Sequence, residues 1–148
     1  MNFKLVHTAA SGERTFVLVF DSGEDVLGPF GDFVKAQGVR SAAFTGLGAF
    51  SAATFGWFDL DTQEYEPTEL TEQVELLSLV GNVALKEDGS AQIHPHVVVG
   101  RRDGAALGGH LLSATVRPTL EITLVEDPAT LRRTFRPEYG IALIDPEL

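Results

Sequence analysis

The stretch "IHPHVVVGRRDGAALGGHLL", Ile93–Leu112, contains three of the four histidines in this chain of 148 residues. Its first half is apolar and rich in β-branched residues, which indicates a strand. The Asp103-Gly104 pair that follows is the strongest short signal for a β-hairpin, so the second half is predicted to return as another strand. Because side chains alternate along a strand, His94 and His96 point to the same face.

The length of the hairpin loop decides where His110 points. A two-residue loop places His110 opposite Val97, on the other face from His96, unless a bulge at Gly108-Gly109 shifts the register. A three-residue loop with Gly104 in the left-handed region places His110 directly across from His96. The sequence leaves both registers open.

In the three-residue register, His94, His96 and His110 converge on one patch, with cross-strand Cβ atoms about 5 Å apart. Three imidazoles are typical of an open zinc-type site, whereas a closed structural site requires a fourth protein ligand. The chain has no cysteine, so any role with a soft metal depends on histidine. The predicted ligands of Zn²⁺, or of another divalent transition metal, are therefore these three residues. The competing interpretation is that they are half-buried polar residues of a strand.

Other candidate site residues are weaker. Glu121 in "TLEI" is a candidate fourth ligand or acceptor for an imidazole N–H, although its pattern is more typical of a solvent-exposed face. The segment Gly46-Leu47-Gly48 lacks the phosphate-binding glycine pattern and is more typical of a tight turn. No nucleophile signature surrounds Ser78 or Ser113, so the catalytic residues are unknown.

The first third of the chain predicts two strands and a helix. Arg14–Asp21 has the pattern of a buried strand, and an alternating strand precedes it. A helix is predicted from about Glu24 to Gln37, with Asp21 or Ser22 as the N-cap and Gly38 as the stop.

The rest of the chain is mostly strand in pattern. Residues 39–59 predict a strand, a glycine turn and a second strand, and residues 129–144 predict a short helical turn and a tail. No internal repeat or linker divides the sequence. We therefore expect one α+β domain, residues 1–148, built on a mostly antiparallel sheet with one main helix.

Charge argues against general DNA binding. Twenty-one acidic and eleven basic residues give a formal charge of −10, which opposes approach to a phosphate backbone. The densest basic segment contains Arg132, Arg133 and Arg136, and we interpret it as a solvated face or a set of ion pairs. No signal-peptide core is present, and no stretch approaches the roughly 18 apolar residues of a membrane span. We expect a cytoplasmic protein without a membrane partner.

Several segments together resemble the PPC domain, the domain conserved in plants and prokaryotes. In order they are "TGLGAFSAATFGWFD", "VELLSLVGNVALKEDG", "IHPHVVVGRRDG", "LGGHLL", "TLEI" and "LRRTFRPEYGIAL", so the resemblance covers nearly the whole chain. The most specific parts are the run Glu75–Gly81 and the pairing of His-x-His with Gly-Gly-His. Pro95 is a departure, because proline inside a strand requires an edge or a bulge.

The resemblance implies an α+β domain that assembles as a homotrimer and holds a metal, commonly zinc, at His94, His96 and His110. Bacterial members of the family are usually called predicted DNA-binding proteins, and plant members join the domain to an AT-hook. No Arg-Gly-Arg-Pro hook occurs in this sequence. We therefore expect a trimeric metal-binding protein, of which a metal-dependent enzyme is one form. The alternative is a DNA-binding or regulatory scaffold module that acts through partners.

Overall fold

The computed structural model describes all 148 residues, Met1–Leu148. It contains one helix, α1 (Leu27–Ala36), and nine strands. The strands are β1 (Asn2–Thr8), β2 (Arg14–Asp21), β3 (Ala42–Asp59), β4 (Glu64–Leu70), β5 (Val74–Leu85), β6 (Ala91–Gly100), β7 (Ala106–Glu126), β8 (Arg132–Arg136) and β9 (Ile141–Asp145). The expected α+β class, with a mostly antiparallel sheet and one main helix, is confirmed.

All nine strands belong to one sheet with the order β1-β2-β7-β3-β5-β8-β9. β4 pairs with β3, and β6 pairs with both β5 and β7. The pairing is antiparallel except for a single parallel bridge between Leu85 in β5 and Arg132 in β8. Because β3 also pairs with β5 and β7, the strands β3, β5, β6 and β7 form a closed ring of neighbours. This ring carries the histidines.

The predicted glycine turn near residue 47 is wrong, since β3 runs without interruption through it. A Cβ on Gly48 would lie 2.3 Å from the carbonyl oxygen of Thr119, and one on Gly46 would lie 3.0 Å from the carbonyl oxygen of Glu121. The two glycines therefore let β3 approach the backbone of β7. The register between β3 and β5 shifts between them, as at a bulge.

The helix begins three residues later than predicted, at Leu27, and ends at Ala36. The residues before Leu27 do not join the helix because their backbone is hydrogen-bonded to β7. Gly23 N–H donates to the carbonyl of Val116, and Val26 N–H donates to the carbonyl of Ala114. Asp21 and Ser22 therefore do not cap the helix. The predicted stop is confirmed, because Gly38 adopts a positive φ of 65° directly after the last turn.

The helix packs its aromatic side chains against the sheet. Phe30 and Phe33 are buried, and their rings meet Phe44 and Phe16 edge to face at centroid distances of 5.0 and 5.2 Å. Burying such rings is among the larger single contributions to a core. With ten residues, α1 is too short to cross a membrane, and it is the only helix.

The predicted helical turn and tail at the C-terminus are wrong. Residues 132–145 form the antiparallel hairpin β8-β9, closed by a turn in which Tyr139 N–H donates to Arg136 and Gly140 has a φ of 70°. The physical reason is Gly140, whose left-handed conformation closes the turn, and the β-branched, apolar segment "IALID" that follows it as a strand. This hairpin places Arg133 against the ring of strands.

Candidate metal centre

The β6-β7 hairpin adopts the three-residue loop. Arg101 N–H donates to the carbonyl of Ala105 at 2.8 Å, Gly104 N–H donates to the carbonyl of Arg101 at 3.0 Å, and Gly104 has a φ of 84°. His96 of β6 consequently lies directly opposite His110 of β7. The register that brings all three histidines to one face is therefore the one that forms.

The three imidazole rings converge. The ring centroids lie 5.1 Å apart for His94 and His96, 5.0 Å for His94 and His110, and 5.4 Å for His96 and His110. The Nε2 atoms of His94 and His96 are 3.2 Å apart. One nitrogen from each ring lies within 4.8 Å of the others, and no carboxylate belongs to this group.

Pro95 and Gly81 fit the strand geometry beneath the histidines. They lie opposite each other in β6 and β5, and a Cβ on Gly81 would be 2.3 Å from the carbonyl oxygen of His94. Pro95 is one residue beyond the β6-β7 ladder, which ends at His96. The proline therefore leaves β6 continuous, and the glycine allows β5 to pass closely behind His94.

The cluster is covered on one side and open on the other. The ring of Tyr65, from β4, packs on His110 with a centroid distance of 4.9 Å and an interplanar angle of 32°. A Cβ on Gly56 would lie 2.7 Å from the Tyr65 ring, so the glycine makes room for it. His96 is exposed, whereas His94 and His110 are half-buried. A ligand would therefore reach the cluster from the side of His96.

Burial and neighbouring charges keep two of the imidazoles neutral. Burial lowers the pKa of His110 to about 4, with smaller contributions from His94, His96 and Arg133. Burial likewise lowers the pKa of His94, followed by the charges of Arg133 and His96. A metal binds the neutral form of imidazole, so these rings are available as ligands near neutral pH.

Sequence reasoning missed Arg133 as a member of this region. Its side chain is only 3% exposed, and its Nη2 donates to Oδ1 of Asn82 at 2.5 Å. Asn82 lies directly opposite His94 in the β5-β6 ladder. Nε of Arg133 is buried without a hydrogen-bond partner, as is Nδ1 of His110. No pattern within β8 distinguishes Arg133 from Arg132 and Arg136, and that segment was predicted as a helical turn.

The other basic residues of the segment do not form a free positive surface. Arg136 forms an ion pair with Asp145 at 3.1 Å, and Arg133 is buried. The interpretation as a set of ion pairs therefore holds for Arg136 and is wrong for Arg133. Arg132 is partly exposed.

The remaining sequence candidates lie away from the cluster. Glu121 is exposed on the far half of β7, opposite Leu47 of β3, and does not belong to the histidine group. Ser78 lines a shallow groove in that same region. His7, the fourth histidine, is exposed on β1.

The closed ring of strands and the three converging histidines define a β-rich α+β protein with a candidate metal centre. Comparison with known proteins identifies its family. The Plants and Prokaryotes Conserved (PCC) domain, also abbreviated PPC, matches residues 7–127. The chain belongs to this family. Among proteins with curated functions, none matches the sequence.

Three solved structures illustrate the likeness. A candidate DNA-binding protein of Bacteroides thetaiotaomicron is 28% identical, with a TM-score of 0.88 over 99% of this chain and 98% of that one. A PPC protein of Pyrococcus horikoshii is 32% identical, with a TM-score of 0.81 over 97% and 94%. A metal-containing protein of Archaeoglobus fulgidus is 31% identical, with a TM-score of 0.80 over 97% and 96%.

Proposed function

We propose that this protein binds a divalent transition metal, Zn²⁺ foremost, through His94, His96 and His110. The observation that carries the proposal is the convergence of three ring nitrogens within 4.8 Å of one another. Two nitrogens held by a tetrahedral zinc lie about 3.4 Å apart at a Zn–N distance of about 2.1 Å, and those of His94 and His96 are 3.2 Å apart. Modest closure of the third ring would complete the set.

The donor set suits such an ion in two further respects. Nδ1 of His110 is buried without a hydrogen-bond partner, and a metal bound at this nitrogen would offset that cost. Three imidazole ligands without a carboxylate or thiolate leave a coordination position for water or another ligand. A metal held by these three histidines would supply Lewis-acid chemistry at the open position. The relative from Archaeoglobus fulgidus is itself a metal-containing protein.

The test is metal analysis of protein purified without a histidine tag and reconstituted with Zn²⁺. We expect about one Zn²⁺ per chain, retained through gel filtration. His96→Ala should lose it, whereas His7→Ala, which changes the exposed fourth histidine, should keep it. Retention by His96→Ala, or loss from both variants, contradicts the proposal.

We also propose that the protein assembles as a homotrimer. Support comes from apolar side chains on the outer surface of β3 and β5: Leu47 is 61% exposed, Leu77 is 60% exposed, and both line one groove with Val80. An apolar patch of this kind marks an interaction surface, and a closed symmetric assembly would cover it.

Light scattering at micromolar concentration tests the assembly. We expect three times the chain mass of 15.9 kDa. Leu77→Asp should reduce the mass to that of a monomer, and Leu60→Asp, at a 59% exposed position outside the groove, should not. A monomer mass for the unmodified protein contradicts the proposal.

The alternative function is DNA binding or a regulatory scaffold role, which the name of the Bacteroides relative favours. The charge of −10 opposes it, and two of the three clustered arginines are buried or ion-paired. We expect no submicromolar affinity for random duplex DNA at about 0.15 M salt, where electrostatic attraction is screened within ~8 Å. Fluorescence anisotropy of labelled duplex DNA measures this affinity. Tight binding that is lost in Arg132→Ala would favour DNA binding as the function.

A further inference from the structure

Arg133 carries a buried positive charge with little to compensate it. Its side chain is 3% exposed, and none of the five ion pairs of the chain includes it. The guanidinium that lies over an aromatic ring is that of Arg14. Arg133 has a single neutral acceptor, Oδ1 of Asn82, and its buried Nε has none. Buried charges are normally paired and buried donors are normally hydrogen-bonded, so this arrangement is incomplete.

The incomplete guanidinium lies beside the histidine cluster. Asn82, its one acceptor, is directly opposite His94 in the β5-β6 ladder, so the two side chains share a face. No carboxylate belongs to the cluster, and no ion pair includes Arg133, so this positive charge has no carboxylate partner.

We propose that Arg133 and the metal position together bind a small carboxylate anion, an inference that rests on the proposed metal site for its second contact. A metal dication and a guanidinium repel each other in a poorly solvated site, and an anion shared between them offsets this repulsion. The planar guanidinium matches a carboxylate in shape and provides the unpartnered Nε–H as a donor. One carboxylate oxygen would accept from Arg133, and the other would occupy the open coordination position.

The anion would enter past His96, which is exposed, because Tyr65 covers the side of His110. The approach is therefore limited to one side of the cluster. A neutral ligand of the same shape would leave the charge of Arg133 uncompensated, so the site should distinguish a carboxylate from its amide.

The direct test follows the Nε–H resonance of Arg133 by NMR in ¹⁵N-labelled protein, both loaded with Zn²⁺ and free of metal. The resonance is assigned by its loss in Arg133→Met. Acetate should shift it saturably in the Zn²⁺-loaded protein and acetamide should not, and inorganic phosphate is titrated as the comparison anion. No shift with acetate in either sample overturns the inference, and a response to phosphate alone overturns the assignment to carboxylates.

A second measurement uses Co²⁺-loaded protein, in which acetate at the metal changes the visible spectrum. Loss of a charge-assisted hydrogen bond should weaken acetate binding in Arg133→Met roughly 10- to 100-fold. Arg132→Met, at the neighbouring and partly exposed position, should match the unmodified protein. Equal acetate affinity in Arg133→Met would show that the metal alone holds the anion and would overturn the inference.

The two proposals fail in different ways. If Co²⁺ and Zn²⁺ do not bind, the metal site is wrong, and the NMR titration of metal-free protein still decides whether Arg133 binds acetate. If the metal binds and the Nε–H resonance does not move, the metal site stands and the anion site is wrong.

Discussion

Arg14 and Arg133 lie in two different regions of the molecule, and they differ in the partners that bind their guanidinium groups. Arg14 binds Glu126 through two nitrogens, with Nε to Oε2 at 2.8 Å and Nη2 to Oε1 at 2.5 Å, and also donates to the carbonyl of Gln37 at 2.9 Å. Its guanidinium lies 5.1 Å from the centroid of the Phe16 ring. Arg133 is more deeply buried, yet it has only the amide oxygen of Asn82.

The pKa directions follow this difference. The hydrogen bond to Glu126 raises the pKa of Arg14, and the same bond lowers the pKa of Glu126. Burial, with no carboxylate to oppose it, lowers the pKa of Arg133. A guanidinium that joins strands is neutralised by the chain itself, whereas Arg133 remains uncompensated next to three imidazoles. This contrast is the physical basis for assigning Arg133 to ligand binding rather than to stability.

Giving Arg133 an internal partner should abolish the contrast. Asn82→Asp supplies a carboxylate at the position that Arg133 already contacts. Because this carboxylate would compete with an external anion, acetate binding to the Co²⁺-loaded protein should weaken about 10- to 100-fold. The measurement is the same visible titration, with Asn82→Ser as the control that adds no charge. Unchanged acetate affinity in Asn82→Asp would contradict the proposed role of Arg133.

Removing the partner of Arg14 should destabilise the fold. Glu126→Gln keeps the shape of the side chain but leaves Arg14 without a charge partner, and we expect a loss of about 1–3 kcal/mol in the free energy of unfolding. Urea denaturation measures it. Glu66→Gln, at an exposed acid of β4 that forms no ion pair, should change the free energy by less than about 0.5 kcal/mol.

Acid should reproduce part of that loss in the unmodified protein. Because the folded-state pKa of Glu126 is lowered, its contribution is fully present above the unfolded value of about 4.3 and disappears as the pH falls through the folded value. Glu126→Gln lacks this group, so its unfolding free energy should fall less steeply between about pH 5 and pH 3, by about 1 kcal/mol. Parallel pH profiles for the two proteins would contradict this assignment.

The smallest effect on the free energy of unfolding is expected at Arg133, the more deeply buried of the two arginines. Arg133→Met replaces an unpaired buried charge with an apolar side chain of similar length, and such replacements are often neutral or stabilising. We expect the free energy of unfolding of metal-free protein to change by less than about 1 kcal/mol or to increase. Urea denaturation at neutral pH measures the change. A loss as large as that of Glu126→Gln would mean that Arg133 is structural after all.

The sequence predicts the histidine hairpin because the Asp103-Gly104 turn signal is local, but it leaves open the register that the structure resolves. Gly104 sets the loop, the loop sets the register, and the register places His110 opposite His96. The position of Arg133 could not be predicted in the same way, because it depends on β8 packing beside β5, a contact between segments far apart in the chain. Tyr65 was also missed, since its contact with His110 requires the pairing of β4 with β3.

The continuity of β3 through Gly46 and Gly48 was also not predicted, because it depends on a contact with another strand. Gly46 and Gly48 lie where β3 passes close to the backbone of β7. A local pattern cannot distinguish such an approach from a turn, because glycine suits both.

The long ladder between β3 and β7 also determines how long β3 lacks its partner strand during synthesis on the ribosome. Its partners are separated along the chain by 54 residues for Gly56 and His110 and by 84 residues for Ala42 and Glu126. At the usual elongation rate, one edge of β3 therefore waits from about 3 s to about 17 s for β7 to emerge. An unpaired edge is a template for association with other chains, so this edge of β3 is open to wrong pairing until residue 126 has left the exit tunnel.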